Sequence, residues 1–237
     1  MKMPEESKAR VLAIIPAYNE EENIVATVED LRRNAPGVDY LVIDDGSTDA
    51  TARICAERGF SHVSLPVNLG LAGGFQTGMK YAFARGYDYA IQFDADGQHS
   101  AAYVWPMVEE AQRTGADIII GSRFCAQKKP VSARMVGSAL ITCMIRLTTG
   151  RKIQDPTSGM RLFDREMIRQ FAHKFDYTPE PDTIALAIRN GADVREMQVE
   201  MRDRVAGESY LSFTKSISYM LRACISILFV QWFRREG

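Results

Sequence analysis

Apolar residues along this chain fall into two patterns that take turns. Short continuous runs, Val11-Leu12-Ala13-Ile14-Ile15 ended by Pro16 and Tyr40-Leu41-Val42-Ile43, predict strands buried on both faces of a parallel sheet. Between them, Ile24, Val25, Val28 and Leu31 recur at helical spacing. They predict a helix from Asn19 to Arg33, with Glu20-Glu21-Glu22 as an acidic first turn at the positive end of its dipole. The unit then repeats. A helix over Thr48 to Arg58, capped by Ser47 or Thr48, leads to a short strand over His62 to Leu65. A helix over Gly70 to Arg85 leads to a fourth strand over Tyr87 to Phe93. Alternating strands and helices with short connections predict a doubly wound α/β sheet, whose ligands bind at the carboxyl ends of the strands.

The polar punctuation sits at those ends. Pro16-Ala17-Tyr18-Asn19-Glu20, Asp44-Asp45-Gly46-Ser47 and Asp94-Ala95-Asp96 each follow a predicted strand, so residues far apart in sequence are expected on one rim. A strand alternates its side chains, so Asp94 and Asp96 are expected to point the same way, and Gly97 allows a sharp turn after them. Two such carboxylates, with Gln98 as a neutral oxygen, suit Mg²⁺ or Mn²⁺, which commonly binds one or two carboxylates plus substrate phosphates. Asn68-Leu69-Gly70-Leu71-Ala72-Gly73-Gly74 adds a glycine-rich helix start whose N–H groups could approach a phosphate or base. It is neither the dinucleotide fingerprint nor a P-loop, which argues against a dehydrogenase or a nucleotide-hydrolysing switch.

Composition narrows the classes further. The 237 residues, 46% of them hydrophobic, suffice for a sizeable core. A formal net charge of -1 speaks against a nucleic-acid partner. Its distribution is uneven, because no acidic residue lies between Gly121 and Gln154, where Arg123, Lys128, Lys129, Arg134, Arg146, Arg151 and Lys152 all fall. That region is suited to anions. The 4 cysteines show neither metal-ligand spacing nor disulfide density, and no signal peptide or spanning segment is evident, so a cytoplasmic protein with reduced thiols is expected.

Six motifs in order carry a family resemblance: Ile15-Pro16-Ala17-Tyr18-Asn19-Glu20, Ile43-Asp44-Asp45-Gly46-Ser47-Thr48-Asp49, Asn68-Leu69-Gly70, Asp94-Ala95-Asp96-Gly97-Gln98, Gly121-Ser122-Arg123 and Asp155-Pro156-Thr157-Ser158-Gly159. Together they resemble the family 2 glycosyltransferases of GT-A fold, and in particular the dolichol- and polyprenyl-phosphate hexosyltransferase branch. The resemblance implies an inverting, metal-dependent transfer from a nucleoside-diphosphate sugar, with UDP-linked glucose or N-acetylglucosamine preferred. Pro16, Tyr18, Glu20, Asp45 and Gly70 would line the nucleotide pocket. Asp94 and Asp96, with Gln98, would serve ribose, metal and diphosphate. Arg123, Arg134 and Ser138 would bind the acceptor phosphate, and Arg204, in Arg204-Val205-Ala206-Gly207-Glu208-Ser209, would belong to a loop that closes over the donor. Tyr210 follows that loop where many members have Lys. Asp155 could orient the acceptor, hold an arginine or act as a base, and Glu180 and Asp182 sit where many family 2 enzymes place the base for a hydroxyl acceptor.

A sugar nucleotidyltransferase would need a glycine-rich, arginine-bearing loop at the first strand, which is absent, and the full carboxylate set speaks against a non-catalytic binding module. The Gln-x-x-Arg-Trp signature of processive synthases is also absent, so a single transfer is expected. A catalytic domain over residues 1–210 is expected to carry a C-terminal apolar helical appendage over 211–237. Apolar on nearly every face between Ala223 and Phe233, with Arg222, Arg234 and Arg235 around it, that helix would contact a membrane surface, a small membrane subunit or a second copy of the chain. The protein would then sit peripherally on the inner face of the cell membrane.

Overall fold

The structure is a computed structural model that describes residues 9–126, 133–174, 178–202, 220 and 222–230. Its centre is a 7-stranded sheet in the order β3-β2-β1-β4-β6-β5-β7. The strands are β1 (Val11–Ala17), β2 (Asp39–Asp44), β3 (His62–Ser64), β4 (Tyr89–Gln92), β5 (Ile118–Ser122), β6 (Arg161–Asp164) and β7 (Val194–Gln198). All neighbours are parallel except β6, which runs antiparallel to both β4 and β5.

Strand alternation divides the core into two layers. Leu12 and Ile14 face α3 (Gly70–Arg85) and α6 (Arg165–His173), where Phe75, Phe163 and Phe171 form an aromatic trio with centroids 4.9 to 5.7 Å apart. Val11, Ala13 and Ile15 face α1 (Ile24–Asn34) and α4 (Val104–Thr114). Each fully buried Val, Leu, Ile or Phe among these stabilises the fold by about 1.5–3 kcal/mol. Helices therefore cover both faces, as the doubly wound expectation requires. Gly78 lets α3 lie against β1, because a Cβ there would run into the Ile14 side chain.

Several element boundaries differ from the sequence expectation. The first helix begins at Ile24 rather than Asn19, because Asn19 takes a left-handed backbone (φ 57°) and cannot enter an α-helix. The acidic run Glu20-Glu21-Glu22 thus precedes the helix. The second helix, α2 (Thr51–Glu57), is not capped by Ser47 or Thr48. Asp49 accepts from Thr51 N at 2.9 Å, while Ser47 and Thr48 bond to Asn19. β4 ends at Gln92, so Asp94 and Asp96 lie on a turn and are not aligned by strand alternation.

The C-terminal segment also differs. Residues 222–230 are helical and close in a π-helical turn, Ser226–Val230. Ala223, Cys224 and Ile227 are buried in the same cluster as Phe75 and Ile184, and Met220 lies against α5 (Ala133–Thr149) where Gly137 leaves room for it. One face of this segment belongs to the core, so it is not apolar on every face without need. Ile225 and Phe229 remain exposed.

Asp164 caps α6, accepting from Met167 N at 2.8 Å. Burial pushes its carboxyl up to about 6, the Met167 N–H opposing and the nearby Asp117 and Glu166 charges adding to the rise. A raised folded-state value means that this group's contribution to stability is full only while it is protonated. It declines as pH rises from the unfolded value near 3.8 through about 6, and is level above. Asp164→Asn keeps an acceptor for Met167 and removes the charge. Its melting temperature should exceed wild type at pH 7.5, with the gap narrowing toward pH 5; a gap constant over that range would refute the assignment.

Candidate active site

The order of the sheet reverses between β1 and β4, and there the two strands part. β1 continues to Ala17, whereas its ladder with β4 ends at the Ile14 and Gln92 pair. Ile14 O accepts from Phe93 N, so the Pro16 nitrogen, two residues on, faces the same side beyond the last rung and forfeits no ladder bond. The loops after β1, β2 and β4 meet around this crevice.

On one side, the loops after β1 and β2 are knitted together. Asn19 N donates to Ser47 Oγ at 3.0 Å, and Asn19 Oδ1 accepts from Thr48 N at 2.8 Å. Glu20 N donates to Thr51 Oγ1, Glu21 Oε2 accepts from Ala50 N, and the Glu20 carboxylate accepts from Asn23 Nδ2. Asp45 is buried and accepts from Leu69 N at 2.8 Å, joining the third loop to the second. Gly46, at φ 70°, admits the Val67 and Asn68 backbone against it. The Leu69 amide is therefore spent on Asp45 and the Gly70 amide on Asn68 Oδ1, so the glycine-rich helix start does not hold these N–H groups open for a ligand. Tyr18 remains exposed, and Pro16 lies near Gly74.

On the other side is the turn carrying Asp94, Asp96 and Gln98. Asp96 is buried and accepts from Gln98 N through Oδ1, while Asp94 Oδ1 accepts from Gln92 Nε2 at 3.0 Å. Gly97 supplies the left-handed conformation (φ 77°) that the turn needs. Groups that the sequence does not single out hold it from outside. Thr27 Oγ1 donates to Ala95 O, Asp30 accepts from Ala101 N, and Arg202 donates its N–H to Gln98 O and its guanidinium to Asp30. Thr27 and Asp30 are 3 apart on α1 and share a face, a spacing visible in sequence but without a partner to give it meaning. Across the turn, Gly159 leaves space at the Asp94 carboxylate and His99 that a Cβ would fill. Among the described residues no group of three metal-binding side chains occurs. Asp94 beside that space, with Asp96 on the same turn, suits a cation whose other ligands come from substrate and water.

The third component is an ion pair. Arg123 donates Nε and Nη2 to the two oxygens of Asp155 at 2.7 and 2.8 Å, and Asp155 is wholly buried. Of the three roles open to Asp155, it holds an arginine. Glu196 in turn accepts from Gln154 N and Asp155 N, fixing the loop, and Ser158 Oγ donates to Gly121 O. Arg161, only 2% exposed, donates to Pro156 O from its position opposite Gln92 in the sheet. Ser138 is buried on α5. The Arg134 side chain and Arg204 lie outside what the structure describes. Glu180 precedes α7 (Pro181–Arg189), and Asp182 Oδ2 accepts from Ser226 Oγ at 2.5 Å.

A mostly parallel sheet with helices on both faces and a carboxylate turn at its point of reversal defines an α/β transferase of the GT-A kind. Solved glucosyl-3-phosphoglycerate synthase from Mycobacterium tuberculosis shares this fold at 18% identity with a TM-score of 0.65, over 92% of this chain and 80% of that one. Residues 12–171 match the model of glycosyl transferase family 2, and the chain belongs to that family. It is a glycosyltransferase. It is 33% identical to undecaprenyl-phosphate mannosyltransferase of Micrococcus luteus over 86% of this chain and 88% of the relative. It is 31% identical to polyprenol monophosphomannose synthase of Mycolicibacterium smegmatis, over 86% and 81%. It is 26% identical to a UDP-N-acetylglucosamine–dolichyl-phosphate N-acetylglucosaminyltransferase of Methanococcus voltae, over 80% and 84%.

Removing one member of a fully buried pair strands the other charge at about 3–5 kcal/mol; Arg123 keeps 23% of its side chain in solvent, which lowers the expected loss here to about 2–3 kcal/mol. Asp155→Ala should lower the chemical-denaturation stability by about that amount, whereas Arg53→Ala, which breaks an exposed pair with Glu57, should cost about 1 kcal/mol or less. Equal losses in the two variants would contradict a structural role for the Arg123–Asp155 pair.

Proposed function

We propose that this chain transfers a hexose, with inversion, from a nucleoside-diphosphate sugar to the phosphate of a polyprenyl phosphate at a membrane surface. The observation that carries the proposal is the crevice between β1 and β4, with the Asp94–Asp96 turn on one wall and Arg123 held by Asp155 beyond it. The polyprenyl-phosphate relatives support the acceptor class, and two of them name mannose in place of the glucose or N-acetylglucosamine preferred from sequence. Mannose is accordingly the favoured sugar.

In this proposal Pro16, Tyr18, Glu20 and Asp45 form the nucleotide pocket, with Gly70 behind Asp45, and Arg204 approaches the donor. Asp94, Asp96 and Gln98 would hold Mg²⁺ or Mn²⁺, which when bound neutralises charge on the departing diphosphate. The attacking phosphate has a second pKa near 6, so it is largely dianionic at pH 7 and requires no base. That suits a site in which Asp155 is committed to Arg123, and Asp182 to Ser226 and the Thr183 N–H. Arg123 spends Nε and Nη2 on Asp155, leaving Nη1 to meet an anion, and Arg134 and Ser138 would complete the acceptor-phosphate site.

The acceptor's hydrocarbon chain calls for a membrane surface. No helix among the described residues is long and apolar enough to cross a membrane. On α5, Val136 (65% exposed), Leu140, Cys143 and Leu147 (71%) follow helical spacing on the outer face, while Ile141 and Ile145 face the core. Ile225 and Phe229 are exposed on the segment packed beside α5, and Arg146, Arg151 and Lys152 follow the stripe at its end. An apolar stripe with cationic ends fits a lipid interface carrying anionic headgroups, on the inner face of the cell membrane. Lipid is the cover proposed for this stripe, in preference to a small membrane subunit or a second copy.

Two experiments test these assignments. GDP- and UDP-linked hexoses offered with Mn²⁺ and a polyprenyl phosphate should give a polyprenyl-phosphate hexose, and Arg134→Ala should reduce transfer at least tenfold while leaving donor affinity within twofold. If Glu180→Gln or Asp182→Asn abolishes transfer and Arg134→Ala does not, a hydroxyl acceptor is correct instead. For the membrane, Leu140→Glu combined with Leu147→Glu should remove most flotation with vesicles containing anionic lipid and leave the melting temperature nearly unchanged. Flotation equal to wild type would exclude this face.

A further inference from the structure

We infer that His99 is a positioning residue for Asp94, with Gln92 as its counterpart on the other carboxylate oxygen. The inference rests on the cation site proposed above. His99 is 3% exposed and stands edge-on to Phe93, with ring centroids 5.5 Å apart. Its Nδ1 lies 2.9 Å from Asp94 N, and a backbone N–H can only donate, so Nδ1 is the acceptor and carries no proton. In the neutral ring the proton is then on Nε2, which lies 3.6 Å from Asp94 Oδ2. A single imidazole thus fixes the Asp94 backbone with one nitrogen and turns a donor toward its side chain with the other.

The carboxylate is braced from the opposite side. Gln92, the last residue of β4 and itself buried, donates Nε2 to Asp94 Oδ1 at 3.0 Å. The two oxygens of Asp94 are therefore addressed by different groups, one from the sheet and one from the far end of the same turn. Gly97 and the Gln98 N–H to Asp96 bond shape the tip of the turn, while His99 ties its far end back to the Asp94 N–H. Together the two groups set both where the Asp94 backbone sits and how its carboxylate is turned toward the space that Gly159 leaves beside it. Groups that orient a metal-binding carboxylate typically change metal affinity by about 10–100-fold when removed.

The test titrates Mn²⁺ into the full chain, followed by electron paramagnetic resonance, with GDP present, or UDP if the donor screen selects it. Wild type should bind Mn²⁺ and Asp96→Ala should not; wild type failing to bind would overturn the cation site and this inference with it. His99→Phe keeps the ring volume against Phe93 and removes both nitrogens. It should weaken Mn²⁺ binding at least tenfold, raise the Mn²⁺ concentration for half-maximal transfer by a similar factor, and leave metal-free nucleotide affinity and the acceptor KM within twofold. His99→Asn returns an acceptor to the Asp94 N–H and should recover Mn²⁺ affinity to within about threefold of wild type. Should His99→Phe fail to fold, Gln92→Met takes its place, with the same expected loss. Wild-type Mn²⁺ affinity in the folded Phe variant, or in Gln92→Met where that replaces it, would overturn the inference while leaving the cation site standing. So would equal loss in the Phe and Asn variants.

Discussion

The parting of β1 and β4 is the constraint on which the rest of the molecule depends. Parallel strands in a doubly wound sheet are covered by helices on both faces, which leaves their carboxyl ends as the place where polar loops can meet. Here β2 and β3 lie on one side of β1, and β4 with the strands that follow it lies on the other, so the direction of strand addition switches at the β1 and β4 junction. Pro16 reinforces the opening, because it continues β1 without a donor for a further rung toward β4. The crevice is thus a result of topology, and the three loops bordering it inherit their positions from strands that are themselves core.

Polar groups buried around that crevice are held by a dense set of internal bonds. Asp44 accepts from Ser47 N, Asp45 from Leu69 N, Asp96 from Gln98 N and Asp155 from Arg123. Burying a charge without such partners costs several kcal/mol, so each bond is also a condition for the loop to exist in that form. The same bonds stiffen the rim. In the proposed role, carboxylates fixed in advance would meet a diphosphate or a cation without reorganising, which is the logic of electrostatic preorganisation.

The outer face of α5 obeys a different rule. Its core side carries Ile141 and Ile145, and Gly137 lets Met220 approach, so the C-terminal segment is packed in place. Its other side leaves a row of apolar residues in the open, next to Ile225 and Phe229. A surface of that composition is costly in water and inexpensive against lipid, which is why lipid is the cover proposed for it.

Hydrophobic period and strand-end punctuation were enough to determine the fold class, because a run as short as Val11 to Ile15, stopped by Pro16 and followed by a helical period, fits a doubly covered strand. They also assigned Asp94, Asp96 and Gln98 to one strand end, since local motifs report their own chemistry. What the period could not determine was the conformation of short polar loops, where side-chain bonds between distant segments outweigh local propensity. Asn19, left-handed and bonded to Ser47 and Thr48, stays out of the first helix, and the Asp94 turn is shaped by Thr27, Asp30 and Arg202. Asp155 remained open among three roles until the fold brought it against Arg123, 32 positions away. His99 and Gln92 carry no signal in sequence beyond adjacency to the motif, because a buried imidazole or amide is defined by the group it faces. Only tertiary structure decides that, since those partners are brought within hydrogen-bond distance by the packing of the sheet and its helices rather than by spacing along the chain.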